Sequence, residues 1–369
     1  MKKLTKQELH DILIGCTILG TGGGGELDEG IKIIDEDLEN GYEFKLVSID
    51  EIPDDAMIAS PYNAGSISPL SEEERKKYEG LKEIDEMYNV ISFQALEKFM
   101  GKKFFATIST ELGGQNTAVG FSVAAKLGIP IVDGDPAGRS VPELQQSTFY
   151  MNDVSIAPLA VASKFGDVAI ISEVVDDFRA EAIVRAIAVA SQNTVGVTDH
   201  PVLGKNLKKS VIPGAISYAL KIGQALRVAK ENKKSPAEEI AKACEGYVLF
   251  EGIVEGFDWK DEGGFTVGNS YIKGLGEYEE NKYKIWFKNE NIISWKNDEI
   301  FVTVPDLICI LDKETGMPIT NPNFEKGMNI VAIGLPASEE WRTEKGLMTL
   351  GPKHFNYDVE YVPIEEIMK

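Results

Sequence analysis

Apolar residues recur at helical spacing near the N-terminus: Leu9, Ile12, Leu13, Cys16 and Leu19, then Leu27, Ile31, Ile34 and Leu38. Two amphipathic helices are predicted, one over 6–19 and one stopping at Asn40-Gly41. Thr5-Lys6-Gln7-Glu8 has the S/T-x-x-E form of a capping box, which fixes the first start. From residue 44 short apolar runs alternate with helical stretches: strands at 44–49, 56–59, 104–109 and 129–132, helices at 92–100 and 118–127. Such alternation implies parallel strands with right-handed crossovers. The charged run 71–86 reads as a solvated helix or excursion.

Pro142 sits where a proline suits the first turn of a helix, which would carry Glu143, Gln145 and Gln146. Strands at 154–161 and 168–175 flank Lys164-Phe165-Gly166-Asp167, a hairpin turn. Helices over 177–191 and 213–230 follow, with Gly196 to Gly204 as the loop between them, and a short helix over 235–246. Beyond residue 247 the texture is β: 247–257, 265–273, 283–288, 292–295, 300–304, 308–311 and 329–334 are rich in branched and aromatic residues. Turns such as Lys288-Asn289-Glu290-Asn291 divide them. The expected fold is an α/β N-terminal domain with a mainly parallel sheet, over 1–166. A C-terminal α+β domain, over 167–369, contains a β-sandwich or barrel-like module.

Charge narrows the partners. With 59 acidic against 38 basic residues the net charge is −21, and no basic stripe is present to meet a phosphate backbone. No nucleic acid is expected. No apolar run is long enough to cross a bilayer, so no membrane is expected either, and Met1 to Glu8 has no apolar secretion core, so the expectation is cytoplasmic. Cys16, Cys244 and Cys309 are far apart with no C-x-x-C, and Cys16 falls on an apolar helix face as a small hydrophobe.

Candidate chemistry gathers at glycine-bearing turns. Gly20-Thr21-Gly22-Gly23-Gly24-Gly25 is the densest glycine run, and residues without Cβ can turn backbone N–H groups toward a close ligand. A helix, not a strand, precedes it, which argues against a dinucleotide fingerprint or a P-loop. Three strands end in polar turns, at Asn63-Ala64-Gly65, at Glu111 to Thr117 and at Asp133 to Arg139, where open parallel sheets bind ligands. Asp133 and Asp135, one glycine apart, suit a divalent cation or a proton-transfer pair, and equally an Asx-type turn. Glu111 stands at the matching position of the neighbouring strand, beside Gly113 and Gly114. Arg139 serves either to neutralise the aspartates or to grip a substrate carboxylate. His200, between an aspartate and a proline in the expected loop, could act as acid, base or ligand. His10 and His354 show no partner in the sequence.

Taken in order, G-T-G-G-G-G at 20–25, E-L-G-G-Q-N-T at 111–117, V-D-G-D-P-A-G-R-S-V-P-E-L-Q at 132–145 and V-P-D-L-I-C-I-L-D-K-E-T-G-M-P at 304–318 resemble the S-methyl thiohydantoin desulfurase-like family. The resemblance implies two domains and hydrolytic removal of sulfur from a thiohydantoin-type ring, with a small heterocyclic substrate. Against that chemistry the residue types place Asp133, Asp135, Glu111 and His200 as catalytic. Thr21, Gly22, Gly23, Gly24, Gly25, Asn63, Gly113, Gly114, Asn116, Arg139 and Glu143 would bind substrate. A divalent metal ion would sit on Asp133 and Asp135. A homo-oligomer or a hydantoinase/oxoprolinase-like partner is the expected assembly. A non-catalytic accessory subunit and a nucleotide-binding protein are the alternative readings.

Overall fold

The computed structural model describes residues 1–65 and 76–369, so the first part of the charged run, 71–75, lies outside the described residues. The first helix, Lys6–Leu19, starts at the predicted box: the Thr5 hydroxyl accepts from the Glu8 N–H at 3.2 Å, and the Glu8 carboxylate accepts from the Thr5 N–H at 2.9 Å. Its periodic residues Leu9, Ile12, Leu13, Cys16 and Leu19 are buried. The face carrying Gly15 is buried as well, because it meets the helix Ala215–Glu231 backbone to backbone. A Cβ on Gly15 would fall 1.9 Å from the Ala219 carbonyl oxygen, and one on Gly223 would fall 1.9 Å from that of Asp11. These two glycines therefore set the helix spacing.

An eight-stranded sheet lies on one side of this helix layer. Lys45–Val47, Ile131–Val132, Ala106–Thr107 and Met57–Gly65 pair in parallel at its heart, as the crossovers require. Antiparallel strands flank them: Lys2–Lys3 on one side, and Thr194–Leu203, Leu159–Ala162 and Val168–Ile171 on the other. The last two form the predicted hairpin, closed by the Ser163 N–H donating to the Asp167 carbonyl at 3.0 Å.

Three expectations fail locally. The stretch 196–204 is not a loop: Thr194–Leu203 is a strand inside the first sheet, pairing with Met57–Gly65. Asn63-Ala64-Gly65 accordingly belongs to a strand rather than to a turn after one. No helix opens at Pro142, and the next helical turn is Thr148–Met151.

All seven C-terminal runs are strands. They form one antiparallel sheet with Glu299–Thr303 and Leu307–Asp312 at its edges and Tyr247–Glu262 paired to Asn329–Leu335 within it, curled into a half-barrel. The curl brings the Asn291 amide within 2.9 Å of the Ile308 carbonyl. Leu13, Cys16, Phe121, Ile216, Leu307, Cys309 and Ile333 share one buried cluster, so the helices are packed between the two sheets. Burial pushes the Cys16 thiol up to about 12, in keeping with its role as a small hydrophobe. Among the described residues no helix is long and apolar enough to cross a membrane. The consequence for function is positional: the first helix ends with its glycine run at the seam between the two sheets.

Candidate active site

A cavity of about 700 Å³ opens at that seam. Gly22, Gly23, Gly24 and Gly25 form part of its wall, with Asn63, Glu111, Asn116, Glu143 and His200. The glycine loop needs its composition. Gly22, Gly24 and Gly25 have φ of +96°, +76° and +79°, and every position is crowded. A Cβ on Gly23 would meet Glu290 Oε1 at 1.9 Å, and one on Gly24 would meet the Gly113 Cα at 2.5 Å. The Thr21 and Gly22 carbonyls accept from Asn291 and Asn321 N–H at 2.8 Å each, which ties the loop to the second sheet. The Gly24 carbonyl accepts from the Gln115 and Asn116 N–H, while the Gly24 and Gly25 N–H groups have no acceptor among the described residues.

His200 owes its direction to a bulge. The pairing of Thr194–Leu203 with Met57–Gly65 slips between Ile58 and Ser60, and His200 takes φ of +43° there. A bulge breaks the alternation of faces, so the consecutive side chains of Asp199 and His200 both reach the cavity. The Tyr62 hydroxyl donates to Asp199 Oδ2 at 2.7 Å, and Asp199 Oδ1 lies 2.9 Å from His200 Nδ1. Phe149 stacks on the imidazole with centroids 4.7 Å apart. The carboxylate contact assigns the proton to Nδ1, and Nε2 is buried with no partner among the described residues.

A second chain of groups crosses from one domain to the other. Glu111 accepts from Asn116 Nδ2 at 2.7 Å and from the Val141 N–H at 3.1 Å. Ser140 Oγ lies 2.9 Å from Glu111 Oε2 and 2.7 Å from Glu290 Oε1. Burial, and then the charge of Glu111, push the Glu290 carboxyl up to about 8, and burial raises Glu111 as well. Glu143 behaves oppositely: burial would raise it, but His354 at 2.9 Å and Lys288 outweigh that and hold it at about 2. His354 thus has the partner the sequence did not show, as does His10, which lies 2.8 Å from Asp35.

The other predicted residues lie elsewhere. The chain bends at Asp133, so Asp133 and Asp135 do not converge. Asp133 caps the helix Ala215–Glu231, accepting from Ser217 N–H at 2.9 Å and from its hydroxyl at 2.6 Å. Asp135 is fully buried, accepts from the Ala137 and Gly138 N–H at 2.7 Å, and is pushed by burial up to about 7. Its contacts are those of an Asx-type turn, and the expectation of a divalent cation on this pair does not fit them. No group of three or more His, Cys, Asp or Glu suited to a metal occurs among the described residues. Arg139 touches neither aspartate: buried, it donates to the carbonyls of Ser140 and Pro305 and to Thr21 Oγ1 at 3.0 Å. Thr21 is thereby a structural partner and not a cavity residue. Gly113 and Gly114 pack against Gly24 and Leu27 instead of facing the cavity.

Sequence reasoning missed Glu290, Ser140, Tyr62, Asp199, Glu181 and Arg185. Glu290 falls within the turn expected at 288–291, yet it opens the strand Glu290–Lys296 and is 2% exposed. The cavity carries Glu26, Glu111, Glu143, Glu181, Asp199 and Glu290 against Arg185 and His200, beside an apolar wall of Tyr62, Tyr88, Leu144 and Phe149. Such a lining suits a flat, neutral or cationic ligand better than a polyanion.

Residues 7–173 match the model described as the S-Me-THD-like N-terminal domain, and residues 175–364 the model of the S-Me-THD-like C-terminal domain. The X-ray crystal structure of a protein from Chromobacterium violaceum is similar at TM-score 0.79, with 21% identity, over 99% of this chain and 100% of that one. At that identity the likeness speaks for the fold alone. No curated protein sequence matches the chain.

Proposed function

Because this chain belongs to the S-methyl thiohydantoin desulfurase-like family, we propose that it is a hydrolase removing sulfur from a thiohydantoin-like heterocycle by water attack at the sulfur-bearing ring carbon. The observation that carries the reading is the Tyr62–Asp199–His200 chain, whose unpartnered Nε2 belongs to a residue on the cavity wall. With its proton on Nδ1, the imidazole offers Nε2 as general base to a water. The water oxygen bonds to the ring carbon as Nε2 takes a proton, and the C=N or C=S electron pair moves onto the ring nitrogen or the sulfur. His200 returns that proton to the ring nitrogen or the sulfur, then takes the hydroxyl proton as collapse forms the ring C=O and breaks the C–S bond, and sulfur leaves with a proton that balances the one left on His200. An S-alkyl ring gives a hydantoin and a thiol, and an unsubstituted C=S ring gives hydrogen sulfide.

The remaining residues bind and orient. The Gly24 and Gly25 N–H groups are donors for charge that develops on the ring. Asn63 and Asn116 offer amide groups to the ring edge, with Asn116 steadied by Glu111 at 2.7 Å. A nucleotide would bring phosphates beside Glu26, Glu111 and Glu290, which disfavours that reading. The test is thiol or sulfide release from a panel of thiohydantoins and S-alkyl thiohydantoins by the pure protein and by His200→Gln. A loss of about 100-fold or more in kcat is expected for the variant. No turnover by pure wild-type protein, with stable co-purification of a hydantoinase-like protein, would support an accessory role instead.

A further inference from the structure

Ser140 has one hydroxyl proton and two carboxyl neighbours, 2.7 Å and 2.9 Å away. It can donate to only one of them. Were both ionised, the other contact would set an oxygen lone pair against a carboxylate at hydrogen-bond distance in a buried site, a strongly unfavourable arrangement. The pair must hold one further proton. Glu111 already accepts from Asn116 and the Val141 N–H, donors that favour its ionised form. Glu290 has no such set: Oε1 meets Ser140, and Oε2 is buried with no partner among the described residues. The charged groups that bear on it are Glu111, from the strand-end loop, and Arg139. Gly23 presses on it from the glycine loop with no side chain of its own.

From this geometry we infer that Glu290 is the proton donor to the departing sulfur, a role that rests on the desulfurase reading of the cavity. Before substrate binds, Glu290 Oε1–H donates to Ser140, which donates to Glu111. A sulfur seated at Oε2 offers the carboxyl a second acceptor. After attack His200 returns the water proton to the ring nitrogen or the sulfur that took the electron pair; on collapse the hydroxyl proton of the adduct passes to the freed Nε2, the C=O bond forms, the C–S electron pair goes to sulfur, and sulfur takes the Glu290 proton. Protonated His200 and ionised Glu290 then exchange a proton through solvent, which restores the resting state. An acid that is neutral at pH 7 and a base aligned by a carboxylate thus divide the work between the two domains.

The test compares Glu290→Gln with wild type on two substrates that share a ring, one leaving as an alkyl thiol and one as an aryl thiol. The glutamine keeps shape and hydrogen bonding but gives no proton. An alkyl thiolate leaves poorly without protonation, whereas an aryl thiolate leaves well. We expect kcat to fall about 100-fold or more on the alkyl substrate and under tenfold on the aryl one, with KM nearly unchanged. The alkaline limb of the wild-type kcat/KM profile, near pH 8 from the Glu290 carboxyl of the free protein, should vanish in the variant. Equal losses on both substrates with an unchanged limb would overturn the inference while leaving the desulfurase reading intact; no turnover of either substrate by wild type would overturn that reading instead. A readout independent of turnover is the infrared carboxylic-acid carbonyl band at pH 7. It should weaken in Glu290→Gln, and an identical band in both proteins would contradict a protonated Glu290.

Discussion

Gly23→Ala probes the contact between the glycine loop and the buried carboxyl. The new Cβ would lie 1.9 Å from Glu290 Oε1, 2.6 Å from its Cδ and 3.0 Å from its Cγ, so the end of that one side chain must move. The backbone itself tolerates alanine, since Gly23 is not among the positive-φ residues, and a less flexible unfolded chain favours folding by roughly 0.4–1 kcal/mol. Displacing Glu290 breaks its 2.7 Å bond to Ser140 and leaves a buried polar group unsatisfied, at a cost of roughly 1–3 kcal/mol. The net expectation is a loss of about 1–2 kcal/mol, or a fall in Tm of roughly 1–3 °C by calorimetry. Thiol release should fall in parallel. The decisive control is the same substitution in a Glu290→Ala background, where the clash is gone and alanine should be neutral or stabilising by roughly 0.4–1 kcal/mol. Equal destabilisation in both backgrounds would refute the reasoning.

Other glycines separate by the same criterion. A Cβ on Gly120, inside the helix Gly114–Leu127, would have only the Pro61 carbonyl oxygen nearby, at 3.6 Å, so Gly120→Ala should stabilise by roughly 0.5–1 kcal/mol in urea unfolding. Gly15→Ala drives a Cβ into the Ala219 backbone and should cost about 3 kcal/mol in the same assay. Asp133→Ala removes a helix cap and should lower stability by about 1 kcal/mol while leaving turnover within twofold, roughly, of wild type. For Glu290 the folded state binds its proton more tightly than the unfolded chain does. Its contribution to stability is therefore full below about 4.5 and is lost as pH rises through about 8. The Tm of Glu290→Gln relative to wild type should accordingly rise between roughly pH 5 and pH 9, and a difference independent of pH would contradict the assignment.

The sequence made the periodic elements legible and the mixed ones not. Thr5 and Glu8 announce the first helix because a capping box is local chemistry. The seven C-terminal strands announce themselves by branched and aromatic residues between turns. Thr194–Leu203 stayed hidden because its buried face includes Thr198, Asp199 and His200, and its bulge breaks the alternation on which strand patterns rely. Asn63, Glu111, Asn116, Glu143, His200 and Gly22 to Gly25 line the cavity, although Asn63 and His200 reach it from strands rather than from the turns the sequence suggested. Asp133 and Asp135 do not, because spacing by one glycine aligns two side chains only in an unbent strand, and the chain bends at Asp133. Glu290 could not be found from its neighbours: Asn289 and Asn291 spell a surface turn, and its burial comes from a glycine loop more than two hundred residues away in sequence.

The central claim is that His200 activates water against a sulfur-bearing ring carbon. It is tested most directly by single-turnover hydrolysis of an S-alkyl thiohydantoin in water enriched in oxygen-18, with wild type and His200→Gln at matched concentrations. The account predicts one labelled oxygen in the hydantoin carbonyl, one equivalent of thiol, and a rate at least about 100-fold slower in the variant. A product without the label, or a His200→Gln rate equal to that of wild type, would contradict it.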